Sequence, residues 1–365
     1  MSDKAREVIG VHDLDITFRM ATGNVHAIRG VDFQLKENEV LALVGESGCG
    51  KSITVKSIMG ILPENAVINS GEILFYGKDD SEEPVDLLQK KFSWRQKNIN
   101  GSRISMIFQD PMTSLNPTMT IGAQLITAIR NHEDVSRKEA YARSVELLRE
   151  VGITDPERTM GQYPHQLSGG MRQRIVIAIA LSCNPEILIC DEPTTALDVT
   201  IQNRILELIQ RIQRSRGISV IFITHNLGVV AKIADYVGVM YAGKIIEYGT
   251  VFDIFYDPRH PYTWGLLSAI PEIADEKGEL YSIQGTPPNL AKEIVGDAFA
   301  PRNPYALAID FKAEPPLYKL SGTHYVASWL ADERAPKVEM PKELKNRIQH
   351  MKQEGRDYVG RKTRE

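Results

Sequence analysis

Eight consecutive residues, Gly45-Glu46-Ser47-Gly48-Cys49-Gly50-Lys51-Ser52, match the pattern G-x-x-x-x-G-K-[ST]. Glycines at this spacing let a backbone turn tightly enough for successive N–H groups to face inward, where phosphate oxygens are suitable ligands. A helix opening near Gly50 adds its positive N-terminal end. Lys51 then supplies a charge to β- and γ-phosphates and Ser52 a hydroxyl ligand for Mg²⁺, with Ile53 closing the nucleotide-binding stretch. A glycine-rich turn with an exposed lysine has the same composition, but the pattern arises by chance in roughly one chain in a hundred of this length.

Hydrolysis at such a site also needs carboxylates to place Mg²⁺ and water. Ile187-Leu188-Ile189-Cys190-Asp191-Glu192 is an apolar run ending in two acids. As a strand beside the phosphate loop it would give Asp191 to the Mg²⁺, directly or through water, and Glu192 to the attacking water as general base. Cys49 is either a thiol activated by the helix start or a small filler.

These residues need a sheet to position them. Val8–Phe18, Ala27–Leu35 and Glu39–Val44 read as strands, the last an apolar run entering the glycine loop, with a helix over Ile53–Ile61 behind it. Residues 85–182 carry helical spacing and read as a mostly helical insert, ending in Met171–Cys183. Glu186–Cys190 and Ser219–Thr224 resume the parallel-strand pattern around a helix, Thr200–Gln213. This alternation means an α/β sheet with helices on both faces. Tyr236–Tyr241 and Lys244–Tyr248 read as a closing hairpin. The expected divisions are a nucleotide-binding domain over 1–256, a Pro-rich, loop-rich extension over 257–335 and a charged, solvated tail over 336–365.

At 365 residues, with 42% hydrophobic and 25% charged residues, the chain is globular and larger than one core usually holds. A net charge of −4 excludes a nucleic-acid binder that works through a basic surface. Three scattered cysteines, Cys49, Cys183 and Cys190, fit a reducing compartment and exclude a disulfide framework. With no apolar leader and no span-length apolar run, the expectation is a soluble cytoplasmic protein.

Leu167-Ser168-Gly169-Gly170-Met171, lying 23 residues before Asp191, resembles the signature loop of ATP-binding-cassette ATPases, with Met171 where the consensus has Gln. A lone Ser-Gly-Gly is as often a helix-capping turn, but further motifs follow in order. Gln109 in MIFQDP resembles the Q-loop, Ala196-Leu197-Asp198 the D-loop, and His225, 33 residues after Glu192, the switch histidine. Phe18 stands where the family places an aromatic against adenine, with His26 as another residue able to border the base; Arg19 is left unassigned. The resemblance spans residues 8 to about 255. It narrows with YPHQLSGGMRQR and His260-Pro261-Tyr262-Thr263, which are similar to oligopeptide and dipeptide importer ATPases, a subfamily that includes nickel importers.

The resemblance implies a P-loop NTPase fold: a RecA-like α/β core, an antiparallel β subdomain, a helical signature subdomain and a small C-terminal appendage. It implies ATP and Mg²⁺ as ligands, the metal held by Ser52, Gln109 and Asp191. Glu192, His225 and Gln109 would serve catalysis, and Leu167–Met171 would close on ATP held by a partner. Implied partners are a second ATPase subunit, favoured as a paralogue, two transmembrane permease subunits and an extracellular peptide-binding protein, with no nucleic acid. The place implied is the cytoplasmic face of the cell membrane. A soluble non-transport ATPase fits less well, because one cassette carries only a short insert. A regulatory module is disfavoured by the complete hydrolytic set, and an exporter half by the lack of a fused membrane domain.

Many importer ATPases of this kind carry four cysteines for an iron–sulfur cluster in the extension. Here Asp297, Asn303, Asp310 and Ser328 stand at those places, so no cluster is expected. Four oxygen-bearing side chains make only a weak site for a hard cation. The extension is expected to pack on its own segments, anchored by Tyr305, Tyr325 and Trp329.

Overall fold

The computed structural model describes residues 6–353 apart from 22, 78–82, 196 and 271–282. Two long strands, β1 (Glu7–Met20) and β2 (Gly23–Lys36), pair antiparallel, and β4 (Ala66–Phe75) and β5 (Val85–Asp86) extend them into a sheet ordered β2-β1-β4-β5. The second sheet places β3 (Val40–Val44) between β8 (Ser219–Thr224) and β9 (Tyr236–Tyr241). Beyond β8 lie β7 (Ile187–Asp191) and β6 (Ile104–Ile107), all in parallel register. Every residue of β3, β6, β7 and β8 is buried, as expected of strands covered on both faces.

Alternate residues of these strands feed opposite cores. Leu41, Leu43, Ile189 and Ile223 face helix α1 (Lys51–Met59) and the antiparallel sheet. Leu188, Val220 and Phe222 face α2 (Ile121–His132), α3 (Arg137–Glu150), α4 (Gly169–Ala180) and α5 (Val199–Arg216). Two stretches differ from the sequence reading. The expected helical insert contains β5 and β6, whose two and four residues are too few to show a period, and β4 lies in a stretch with no expected strand.

The extension does not stand apart. Its hairpin, β11 (Leu317–Lys319) and β12 (Tyr325–Ala327), continues the parallel-core sheet by pairing β12 with β10 (Lys244–Thr250). Tyr262 and Trp264 of α6 (Pro261–Ser268), with Phe299, share one core with Ala42, Val44 and Val239. Two of the expected anchors are engaged locally, Tyr305 edge-on to Trp264 and the Trp329 indole donating to the Ala313 carbonyl, whereas Tyr325 pairs with Tyr248 of β10, outside the extension. The tail departs from a solvated terminus. In α7 (Lys342–Gln353), Leu344 and Ile348 are buried in that same core.

Candidate active site

β3 delivers the chain to Gly45, and α1 carries it away from Gly50. Gly45 has φ +151° and Gly50 φ +111°, backbone angles that L side chains rarely adopt. A Cβ at Gly45 would lie 2.2 Å from the Met240 carbonyl oxygen, so the loop is pressed against β9 where no side chain fits. Ser47 and Gly48 form its exposed rim, whereas Ile53 is half-buried against the core on the α1 face. Lys51 is buried and folds back across the loop, its Nζ donating to the carbonyls of Gly45 (2.8 Å) and Glu46 (3.0 Å). Gly50 begins α1 with no side-chain cap.

Parallel pairing brings the ends of β3, β8 and β7 to one edge of the sheet. There the Ser52 hydroxyl donates to Asp191 Oδ1 at 2.8 Å. Burial pushes the Asp191 carboxyl up, and the Ser52 hydrogen bond opposes that shift. A hydroxyl and a buried carboxylate in contact are the hard oxygen donors that Mg²⁺ prefers. The adjoining Glu192 adopts φ +47°, a left-handed conformation costing about 1 kcal/mol or more in a non-glycine residue.

That turn aims the Glu192 side chain at three partners. Oε2 accepts from Gln109 Nε2 at 3.3 Å and from the Thr195 hydroxyl at 2.8 Å, and His225 Nδ1 lies 3.3 Å from Oε1. Gln109 and His225 are exposed while Glu192 is largely covered. The structure therefore gathers Gln109, Glu192 and His225 beside Ser52–Asp191. Thr195 escaped the sequence reading; its position, three residues after Glu192 in the turn out of β7, was the available signal.

Other candidates lie elsewhere. Ser168 caps α4, its Oγ accepting from Met171 N at 3.3 Å, with Leu167 buried and Met171 half-buried against the α4 core. Gly169 and Gly170 bring this start against Leu197 and Ile201, and Asp198 caps α5 by accepting from Ile201 N at 2.9 Å. Because α1 and α4 lie on opposite faces of the sheet, Leu167–Met171 and the phosphate loop are separate sites within one chain. Ala196 lies outside the described residues. Phe18 is half-buried near the end of β1, and His26 is taken up by Asp15, 2.7 Å away. Burial pushes the Cys49 thiol up, opposite to the activation expected of a helix start.

A glycine loop entering a helix, a strand ending in two acids and a Ser-Gly-Gly helix start on the other face define a P-loop ATPase of the ATP-binding-cassette class. A family model described as ABC transporter matches residues 28–195, and one described as oligopeptide/dipeptide transporter, C-terminal region, matches 246–309. The chain is 53% identical over 350 residues to the oligopeptide transport ATP-binding protein OppD of Bacillus subtilis, covering 95% of this chain and 96% of that one. It is also 53% identical over 333 residues to the dipeptide transport ATP-binding protein DppD of Lactococcus lactis, covering 91% and 93%. Among solved structures, cbiO1 of Clostridium perfringens, part of the ABC transporter complex cbiONQ, aligns with TM-score 0.56 and 29% identity over 69% of this chain and 92% of that one. The dimeric post-hydrolysis cassette MJ0796 bound to ADP and Pi has the same fold, with TM-score 0.58 at 24% identity over 67% and 98%. The chain belongs to the ATP-binding-cassette transporter family, in its oligopeptide/dipeptide branch.

Proposed function

We propose that this chain is the ATP-hydrolysing subunit of a membrane importer that takes up oligopeptides or dipeptides. The observation that carries the reading is the convergence of Gln109, Glu192 and His225 beside the Ser52–Asp191 pair and the buried Lys51. The loop from Gly45 to Ser52 binds the phosphates through its backbone, Lys51 exchanges its carbonyl partners for phosphate oxygens, and Phe18 borders the base. Ser52, Asp191 and Gln109 would hold Mg²⁺, which when bound would neutralise phosphate charge. Glu192 takes a proton from water as the water oxygen attacks the γ-phosphorus and the bond to the β-phosphate oxygen breaks, releasing ADP and phosphate. His225, with a ring nitrogen already at Glu192, holds the γ-phosphate in line.

The second cradle, Leu167–Met171, serves ATP bound to a partner ATPase, because it opens on the other face of the sheet from α1. Asp198 of the D-loop adjoins it. Two subunits, favoured as paralogues, thus enclose two nucleotides, and closure needs contacts present only with γ-phosphate. A groove of about 260 Å³ beside Gln109, lined by Met59, Met106, Phe108, His132 and Val176, supports docking of a permease subunit. No helix among the described residues is long and apolar enough to cross a membrane, which suits a subunit held peripherally on the cytoplasmic face. An extracellular peptide-binding protein completes the importer.

Replacing Glu192 with Gln removes the base and leaves the phosphate loop intact. The expected result in the assembled complex is a fall in ATPase turnover of about 10²–10⁴-fold with ATP affinity kept. Turnover at the wild-type rate would remove Glu192 from the mechanism.

A further inference from the structure

The extension hydrogen-bonds the phosphate loop at Glu46, at both its backbone and its carboxylate. The Glu46 backbone N–H donates to the Tyr262 hydroxyl at 2.8 Å. Its carboxylate receives a two-pronged contact from Arg302, Nη1 to Oε2 at 2.6 Å and Nη2 to Oε1 at 3.0 Å. The Arg302 side chain is only 5% exposed, so the guanidinium half of this fork is shielded from solvent, while the Glu46 side chain keeps 29% exposure. Arg302 is itself fixed, donating through Nε to the Gln284 carbonyl at 3.0 Å and through Nη1 to the Tyr241 hydroxyl at 3.3 Å.

Tyr262 is held with equal care. The fully buried Glu247 of β10 accepts from the backbone N–H groups of Arg259 (2.6 Å) and His260 (3.0 Å) and lies 2.9 Å from His324 Nε2 on the hairpin. His260 Nδ1 then accepts from Tyr262 N at 3.0 Å. Burial lowers the His260 pKa to about 3, so the ring stays neutral and keeps that acceptor. The rings of Tyr262 and Tyr241 pack 4.7 Å apart, and Phe299 stands edge-on to both. The His260-Pro261-Tyr262 turn is thus a rigid arm from β10 to the loop.

We propose that Arg302 and Tyr262 are positioning residues for ATP: they fix Glu46 by its carboxylate and its N–H, and Arg302 cancels a negative charge that would otherwise border the triphosphate. The proposal rests on the ATPase reading. Glu46 opens the loop one residue after Gly45, so its freedom would be the freedom of the whole cradle. An uncompensated carboxylate there repels a polyanion. Neither residue touches the reacting atoms, so the effect falls on ATP capture more than on turnover.

The test uses the assembled transporter, reading KM for ATP and kcat separately. Arg302→Met is expected to raise KM about 10-fold with kcat within about 3-fold. Adding Glu46→Gln to it should bring KM part of the way back, to about 3-fold above wild type, because the uncompensated charge is gone while the fork that fixed the side chain is still missing. Arg302→Lys, with the charge but no fork, should fall between. A purely packing role predicts no recovery, and that result, or an unchanged KM in Arg302→Met, overturns the proposal. Should Arg302→Met not assemble, Tyr262→Phe removes one hydroxyl at the Glu46 N–H and should raise KM several-fold; an unchanged KM there overturns it equally. The wild type and Glu192→Gln measured alongside separate the two failures. If the wild type hydrolyses no ATP, the ATPase reading falls and the proposal with it. If it does and the loop variants behave as wild type, only the proposal falls.

Discussion

The start of α1 and the turns of the extension treat backbone N–H groups in opposite ways. Gly50 begins α1 with no side-chain cap. In the extension, four buried polar side chains each close their own turn. Asp297 accepts from Phe299 N and Asn303 from Tyr305 N, each at 2.9 Å; Asp310 accepts from Leu307 N, and Ser328 from Leu330 N at 3.3 Å. These are the positions where related proteins were expected to carry cluster-binding cysteines. A side chain spent on its own turn offers less to a ligand, while a helix start without a side-chain cap keeps donors for an anion. The start of α4 lies between these cases, because Ser168 caps it with one hydroxyl at 3.3 Å that an arriving phosphate can displace.

The contrast breaks most severely at Lys51. It is the buried cation of the uncapped site, and its present partners are loop carbonyls rather than a carboxylate. Lys51→Ala should weaken ATP affinity about 100-fold, the equivalent of one strong charge-assisted contact, and turnover should fall with it. Equilibrium nucleotide titration of the assembled complex measures this. Affinity within a few-fold of wild type would show that α1 does not depend on a ligand cation.

Ser168→Arg tests the intermediate case. The bulky cation should cut turnover of the assembled complex about 10-fold or more by blocking closure on the partner's nucleotide, while the isolated chain keeps its ATP affinity within about 2-fold. ATPase and titration assays on the same preparations separate the two effects. Unchanged turnover would place the α4 start with the structural turns of the extension.

What the sequence made legible was local. The phosphate loop declares itself because φ values such as that of Gly45 demand glycine at fixed spacing, and β7 does so because an apolar run stops at two acids. β4 stayed hidden because Asn69-Ser70-Gly71 interrupts its alternation, opposite the irregular stretch of β1 where Asp13 has φ +45°. The Arg302–Glu46 pair joins residues 256 positions apart, which no spacing rule reaches. The tail looked solvated because, among its described residues, only two apolar side chains, Leu344 and Ile348, meet the core deeply. In the site, the grouping of Gln109, Glu192 and His225 was expected from motif order, whereas Thr195 was not, since a threonine in a turn has many other uses.

The smallest expected effect concerns the charge that a closed turn must bury. Asp297 is 6% exposed, and burial raises its pKa to about 6, with the Asp310 charge adding to the shift. An unfolded Asp ionises near 3.9. Between about pH 4 and 6 the folded chain therefore keeps a proton that the unfolded chain has lost, and stability falls as pH rises through that window. Above it the buried carboxylate costs on the order of 2 kcal/mol. Asp297→Asn keeps the oxygen that accepts from Phe299 N and removes the charge. The variant should melt a few degrees higher than wild type at pH 8, and the gap should close towards pH 4. His260 works in the opposite direction, its burial destabilising the fold as pH drops below about 6.5, but it is common to both proteins and cancels in the difference. Thermal unfolding of the two proteins across pH 4–8 gives the comparison. A gap independent of pH would mean that the buried Asp297 charge is not its cause, and a variant less stable at pH 8 would mean that the turn needs its carboxylate, as a site poised for a cation would.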